Sequence, residues 1–384
     1  MLSTIAIRGY RSLRDITVPL GDLTVITGAN GTGKSSVYRA LRLLADCGRG
    51  AVIGSLAHEG GLESVLWAGP EQTSGARRTG KSTGTTRTRP VSLELGFASD
   101  DFGYLIDLGL PQYAGPNSAF ARDPEIKREA VFAGPVARRS AVLIRRAGEY
   151  AEVSAESGRG FDPLTRGLPG YHSVLSEFAH PGTHPELAAV RDRLRSWRFY
   201  DGFRVDAAAP ARRPQIGTRT PVLSDDGTDL AAAVQTILEV GQDDLARAVA
   251  DAFDGATISV AVHDGLFELH LHQQGMLRPL RAAELSDGTL RFLLWGAALT
   301  SPRPPSLMVL NEPETSLHPD LVAPLAEMIR SAATRTQVVV ITHAAALVQR
   351  LAADSEAALY KEWGETRVQG QTLLTAPAWD WGKR

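Results

Sequence analysis

The chain has 384 residues, 43% of them hydrophobic, enough to bury a full core as one large domain or two or three smaller ones. Lys and Arg number 41 against 43 Asp and Glu, a net charge of −2 that excludes a global positive field, so any nucleic-acid surface must come from local clustering. A single cysteine, Cys47, excludes an internal disulfide. Arg8, Arg11 and Arg14 break up any signal-peptide core, and the longest apolar run, 292–299, is far short of a membrane span.

A soluble, cytoplasmic chain with no membrane partner is therefore expected. Residues 4–8, 16–18 and 23–27 read as a β-meander, with a polar turn at 9–14 between the first two strands. The third strand runs into Gly28-Ala29-Asn30-Gly31-Thr32-Gly33-Lys34-Ser35-Ser36. Glycines at 28, 31 and 33 let the backbone curl several N–H groups around one anion, and the following helix points its positive end at the same place. Lys34 then reaches the β- and γ-phosphates of a nucleoside triphosphate, and the Ser35 hydroxyl suits Mg²⁺. Val37, Ala40, Leu41 and Leu44 mark one buried helix face, and Cys47 just beyond them reads as a small buried residue.

Residues 73–90 carry Arg77, Arg78, Lys81, Arg87 and Arg89 with no acid among them, a composition that cannot bury a core and that suits phosphate-backbone contact. Strands at 91–97 and 104–110 form a hairpin, as do 142–145 and 149–153 through Gly148. Residues 154–169 read as a polar connector, 185–197 as a helix and 207–219, rich in Pro and Arg, as a linker. Helices at about 230–240 and 243–253 and a strand pair at 257–262 and 267–272 follow. Leu285-Ser286-Asp287-Gly288-Thr289 opens the next helix, where hydroxyl, N–H and dipole can grip a second anion. The apolar strand 307–310 ends in Asn311-Glu312-Pro313-Glu314-Thr315-Ser316-Leu317-His318-Pro319, and a helix around Leu325 and Ile329 is expected to kink at Pro324. The last core strand, 338–341, ends at Thr342-His343, and 357–360 and 366–369 are left as edge strands.

The end of strand 307–310 is where a Mg²⁺-linked group and a base belong, so Glu312 is the candidate to polarise the attacking water and His343 a candidate γ-phosphate contact. Residues 28–35 resemble a Walker A loop, 285–289 an ABC signature, 307–312 a Walker B strand, 313–319 a D-loop and His343 a switch histidine. The Glu312–Pro319 wording and Gly9-Tyr10-Arg11-Ser12 are similar to the SMC/RecF/Rad50/OLD branch of ABC-type ATPases rather than to transporter subunits. More narrowly, the chain resembles stand-alone bacterial ATPases of the AAA_21 type, without the Toprim domain of OLD nucleases, for which the 41 residues after His343 are too few.

That resemblance implies an α/β fold, an ABC-type P-loop ATPase head: a mixed β-sheet core around the phosphate-loop helix, an antiparallel β subdomain and a helical lobe bearing the signature. It implies an N-terminal part over 1–115, an inserted lobe and linker over 116–220, and a C-terminal part over 221–384. ATP and Mg²⁺ are the implied cofactors. Asn30, Gly31, Thr32, Gly33, Lys34, Ser35, Ser36 and Arg11 are expected around ATP, Ser35 and Asn311 toward the metal, and Lys34, Glu312 and His343 as catalytic groups. Two heads would sandwich ATP, with Ser286 and Gly288 meeting the γ-phosphate on the other subunit's Lys34; DNA is the expected partner, with an effector protein in trans.

Two departures stand out. Asn311 occupies the usual Walker B aspartate position, and loss of such a metal-side group typically costs about 10–100-fold in affinity or activity. Asp287 replaces a signature glycine and adds negative charge near a triphosphate, which Arg291, one turn on, is expected to offset. The leading reading is a slow, ATP-dimerised ATPase acting on DNA in repair or phage defence. The alternatives are a non-hydrolysing ATP switch that recruits an effector and, more remotely, a transporter ATPase subunit.

Overall fold

β1 (Leu2–Tyr10) and β2 (Leu13–Pro19) pair antiparallel, Ile7 opposite Ile16 and Tyr10 opposite Leu13, in a computed structural model that describes residues 1–69, 92–111, 118–155, 157, 159–241, 243–372 and 374–382. The chain divides into two compact units: residues 1–21, 26–196 and 357–384 form the first, and 22–25 with 197–356 the second. β3 (Leu23–Gly28) begins in the second unit and ends in the first. The expected three-strand meander is thus a two-strand hairpin. Leu23 to Ile26 are all buried, the pattern of an enclosed parallel strand rather than of a half-solvated meander strand.

In the first unit, β4 (Leu93–Ser99), β5 (Phe102–Gly109), β6 (Glu125–Ala133), β7 (Val142–Ala147), β8 (Tyr150–Ser154) and β9 (Phe161–Thr165) extend the hairpin into an eight-stranded sheet, ordered β2-β1-β4-β5-β6-β7-β8-β9. Both expected hairpins are present. β9 occupies part of the stretch read as a connector, and β6 to β9 continue one sheet within the first unit. Beside the sheet lie α1 (Lys34–Arg49), α2 (Val52–His58), α3 (Leu62–Val65), α4 (Val174–Glu177) and α5 (Pro185–Ser196). α1 buries Val37, Ala40, Leu41 and Leu44, as their period predicts, together with Cys47. Gly48 lets α1 approach α5: a Cβ there would stand 2.6 Å from that of Leu194.

In the second unit, β10 (Arg198–Tyr200) precedes β11 (Gln215–Ile216), α6 (Leu230–Val240), α7 (Asp244–Ala252), β12 (Thr257–His263), β13 (Leu266–His272) and β14 (Leu280–Arg281). Then come α8 (Asp287–Leu299), β15 (Leu307–Asn311), α9 (Val322–Ala333), β16 (Gln337–Ile341) and α10 (Ala345–Leu351). β10, β15 and β16 run parallel, with the start of β3 beside β16, where the Val338 N–H donates to the Asp22 carbonyl at 2.8 Å. Phe292, Leu293 and Trp295 of α8 share a core with Met308, Leu310, Val338 and Val340. Pro324 lies in the first turn of α9, where its missing N–H has no helical acceptor to lose, so it gives no cause for a kink.

β17 (Ser355–Glu362) and β18 (Glu365–Val368) bring the chain back to the first unit, where β17 lies between the end of β3 and β18 and is not an edge strand. The closing segment covers the second face of the large sheet. Trp379 packs edge-on to Phe132 at 5.9 Å and over Gly96, and the Trp381 indole donates to Asp15 at 3.2 Å.

Candidate functional site

The first unit carries the phosphate loop. Gly28, Gly31 and Gly33 all adopt positive φ, at 146°, 80° and 112°. Each position that curls the loop therefore needs glycine, and a Cβ at Gly28 would stand 2.5 Å from the Leu359 carbonyl. Space is open beside Gly31, and the N–H groups of Gly33, Lys34 and Ser35 find no acceptor among the described residues. Thr32 braces the loop from within: its hydroxyl donates to the Ala29 carbonyl at 2.8 Å, and its own carbonyl accepts from Thr366 Oγ1 at 2.7 Å. Lys34, 6% exposed, donates to the Gly28 and Ala29 carbonyls at 2.6 and 3.2 Å. Asn30, Gly31 and Ser35 are exposed, and Ser36 is half-buried. Open N–H groups, a cation over the loop mouth and an exposed hydroxyl at the helix start are a donor set for a polyphosphate with its metal.

The turn between β1 and β2 is not a solvated tip. Tyr10 is fully buried, and Arg11, at φ 50°, donates through its N–H to the Val65 carbonyl at 2.6 Å. The Glu59 carboxylate accepts from both Tyr10 Oη and Arg11 Nη2, each at 2.6 Å. Burial works against the Arg11 charge, but Glu59 and Tyr10 together more than offset it and raise the guanidinium pKa; burial and the Glu59 carboxylate push the Tyr10 phenol up. The Ser12 hydroxyl lies 2.8 Å from Thr366 Oγ1, and a Cβ on Gly33 would stand 3.1 Å from the Ser12 hydroxyl, so this turn borders the phosphate loop. Glu59 had no sequence signal; it sits in a Gly-rich stretch after a short helix.

The second unit carries the carboxylates. β15 delivers Asn311 and Glu312, both half-buried. Glu312 adopts φ 48°, unusual for a side chain that gains nothing from the left-handed region, and its N–H donates to the Ile341 carbonyl of β16 at 2.7 Å. Its Oε1 lies 3.1 Å from His343 Nδ1. Next to this pair the buried Thr342 hydroxyl donates to Glu314 Oε1 and accepts from the Ala344 N–H at 2.9 Å, tying the two strand ends together.

Ser286 caps α8, accepting from the Thr289 N–H at 3.1 Å, and Ser286 and Asp287 are exposed while Gly288 is half-buried. Arg291 does not offset Asp287; it donates to the Thr315 carbonyl at 3.3 Å. Asp287 instead accepts from Arg212 Nη2 at 2.6 Å. Residues 207–219 are therefore no linker: Pro210–Arg212 forms a 3-10 turn and Gln215–Ile216 a strand, and the Arg212 guanidinium is buried under the signature loop. Arg77, Arg78, Lys81, Arg87 and Arg89 lie outside the described residues. Among the described residues no helix is long and apolar enough to cross a membrane.

A parallel strand, a glycine loop with Lys-Ser, a capped signature helix and a strand ending in a carboxylate beside a histidine define a P-loop ATPase of the ABC type. Residues 23–349 match the family described as "AAA domain, putative AbiEii toxin, Type IV TA system", and the chain belongs to that family. The head domain of an Smc protein bound to the C-winged helix domain of ScpA is similar over 98% of this chain and 99% of its own, with a TM-score of 0.53 and 13% identity. An Smc head with an extended coiled coil, bound to the C-terminal domain of ScpA derived from Pyrococcus furiosus, gives a TM-score of 0.52 over 98% and 97% of the two chains, again at 13% identity. These likenesses establish the ABC-type head fold. An OLD nuclease of Thermus scotoductus (strain ATCC 700910 / SA-01) is 46% identical over 44 residues, 12% of this chain and only 8% of the nuclease.

Proposed function

We propose that this chain binds ATP with Mg²⁺, closes into a homodimer on doing so, hydrolyses ATP slowly and acts on DNA. The observation that carries the reading is the strained Glu312, whose backbone is tied to β16 and whose carboxylate faces His343. A carboxylate so restrained is suited to orient water for attack on a γ-phosphate, a reaction that asks a protein mainly for positioning and charge stabilisation. The Gly33, Lys34 and Ser35 amides hold the phosphates, and Lys34 exchanges its two carbonyl partners for phosphate oxygens. The Ser35 hydroxyl would offer Mg²⁺ an oxygen, and Asn311 is the other expected metal-side group; such a metal keeps several waters and needs only one or two protein groups. When bound, Mg²⁺ neutralises charge on the β- and γ-phosphates. His343 holds Glu312 in place and reports the γ-phosphate. Ser286 and Gly288 contact the partner subunit's nucleotide, and Arg11 borders the chain's own.

Residues 73–90 supply cations for a DNA backbone. The two similar Smc heads, each bound to a domain of ScpA, motivate a protein effector here as well. The deciding experiment is steady-state ATP hydrolysis with Mg²⁺, with and without double-stranded DNA, beside Glu312→Gln. Turnover stimulated by DNA and lowered about 10²–10⁴-fold in the variant is expected. Gel filtration of Glu312→Gln with ATP is expected to show a trapped dimer; a monomer defeats the sandwich.

One residue favours a second reading. Asn311 offers an acceptor to a metal-bound water but no charge, which suits an ATP-dependent switch that recruits an effector without useful turnover. Under that reading Asn311→Asp creates hydrolysis while ATP affinity stays nearly constant.

A further inference from the structure

The signature loop poses an electrostatic problem. Ser286 and the first N–H groups of α8 suit an anion, yet the Asp287 carboxylate beside them is 67% exposed and repels one. We propose that Arg212 is the positioning residue of this loop: it fixes the backbone entering Ser286 and cancels the Asp287 charge, so that the start of α8 can receive a triphosphate from a second copy of the chain. This inference rests on the ATP-dimer reading above.

The geometry supports both halves. Arg212 Nη1 donates to the Leu285 carbonyl at 2.7 Å and to that of Ala282 at 3.1 Å, the residues that lead into Ser286. Nε donates to the Val205 carbonyl at 2.9 Å, anchoring the guanidinium on a separate segment. Nη2 takes Asp287 Oδ1 at 2.6 Å, so one planar fork grips the residue on either side of Ser286. The guanidinium is only 8% exposed, and its single carboxylate partner lies on the open side of the loop. Three other cations near the loop in sequence are engaged elsewhere: Arg278 and Arg281 on Glu284, Arg291 on the Thr315 carbonyl. An incoming phosphate therefore meets a neutral pair, and any weakening of Asp287's hold exposes a cation pre-aimed at the loop.

The test is ATP-dependent dimerisation of the Glu312→Gln background, measured by sedimentation, with thermal melting of each variant alongside. Asp287→Gly is expected to tighten the ATP dimer several-fold while lowering the melting temperature slightly. A purely structural ion pair predicts the opposite, a dimer weakened in step with stability, and that result overturns the proposal. Arg212→Met is expected to weaken the dimer about tenfold or more, because it strands the acceptors it held and leaves Asp287 uncancelled. Adding Asp287→Gly to Arg212→Met is expected to restore part of that loss; no restoration in a folded double variant refutes charge cancellation. Arg212→Lys, which keeps the charge but not the fork, is expected to fall between and serves if Arg212→Met does not fold. A Glu312→Gln protein that stays monomeric with ATP sinks the dimer reading and this proposal together, whereas a dimer indifferent to Asp287 and Arg212 sinks this proposal alone.

Discussion

Arg146 and Arg212 are the same chemical device in two regions. Each is a buried guanidinium that donates to several backbone carbonyls and to one carboxylate. Arg146 serves the Gly148, Pro169 and His172 carbonyls and Glu129, all in the first unit. Glu129 is as buried as its partner, with side-chain exposures of 0% for both, and also accepts from Tyr104 Oη at 2.7 Å, Ser173 Oγ at 2.5 Å and the Val174 N–H at 3.0 Å. That network is closed and has nothing left to offer a ligand. Arg212's carboxylate faces outward. A sealed pair specifies a fold, and a pair open on one side can answer an incoming charge.

The largest effect expected is on the sealed pair. Arg146→Met should lower unfolding free energy in denaturant by about 3–5 kcal/mol, since it leaves the Glu129 charge buried without its counter-ion. Arg212→Met should cost less, about 1–3 kcal/mol, because its carbonyls lose donors while Asp287 still sees water. Asp287→Gly should cost least, about 1 kcal/mol, because the carboxylate removed is mostly solvated and the buried Arg212 keeps its carbonyl acceptors; a loss as large as that of Arg146→Met would mean that the two pairs do the same work. Cys47 sharpens the comparison further. It is the chain's one cysteine, it is buried in α1, and burial pushes its thiol pKa up, so a thiol reagent reaches it only when the first unit opens. Labelling should therefore accelerate in Arg146→Met, remain near the unaltered rate in Arg212→Met, and slow when ATP occupies the loop that starts the same helix.

These partnerships explain which parts could be read from sequence. The phosphate loop, α1 and the apolar strands β15 and β16 announce themselves through glycine spacing, a helical period and β-branched runs, all local signals. β6 stayed hidden because Glu125, Lys127, Arg128 and Glu129 give it the polarity of a loop. Its charges are matched across the sheet instead: Arg128 takes Glu94 at 2.7 Å and Asp107 at 3.3 Å. Arg212 was invisible for the same reason. It sits between prolines with no period, 75 residues from Asp287, whereas helical spacing pointed to Arg291. The basic residues from Arg77 to Arg89 rest on composition alone.

Glu312 carries a consequence for anyone who tries to make this protein more robust. A non-glycine residue at φ 48° gives up roughly 1 kcal/mol or more relative to glycine, which occupies that region freely. Glu312→Gly should therefore yield a protein that melts higher and hydrolyses nothing. A search for thermostable variants would enrich that substitution, and a screen that scores stability without scoring turnover would select a dead enzyme.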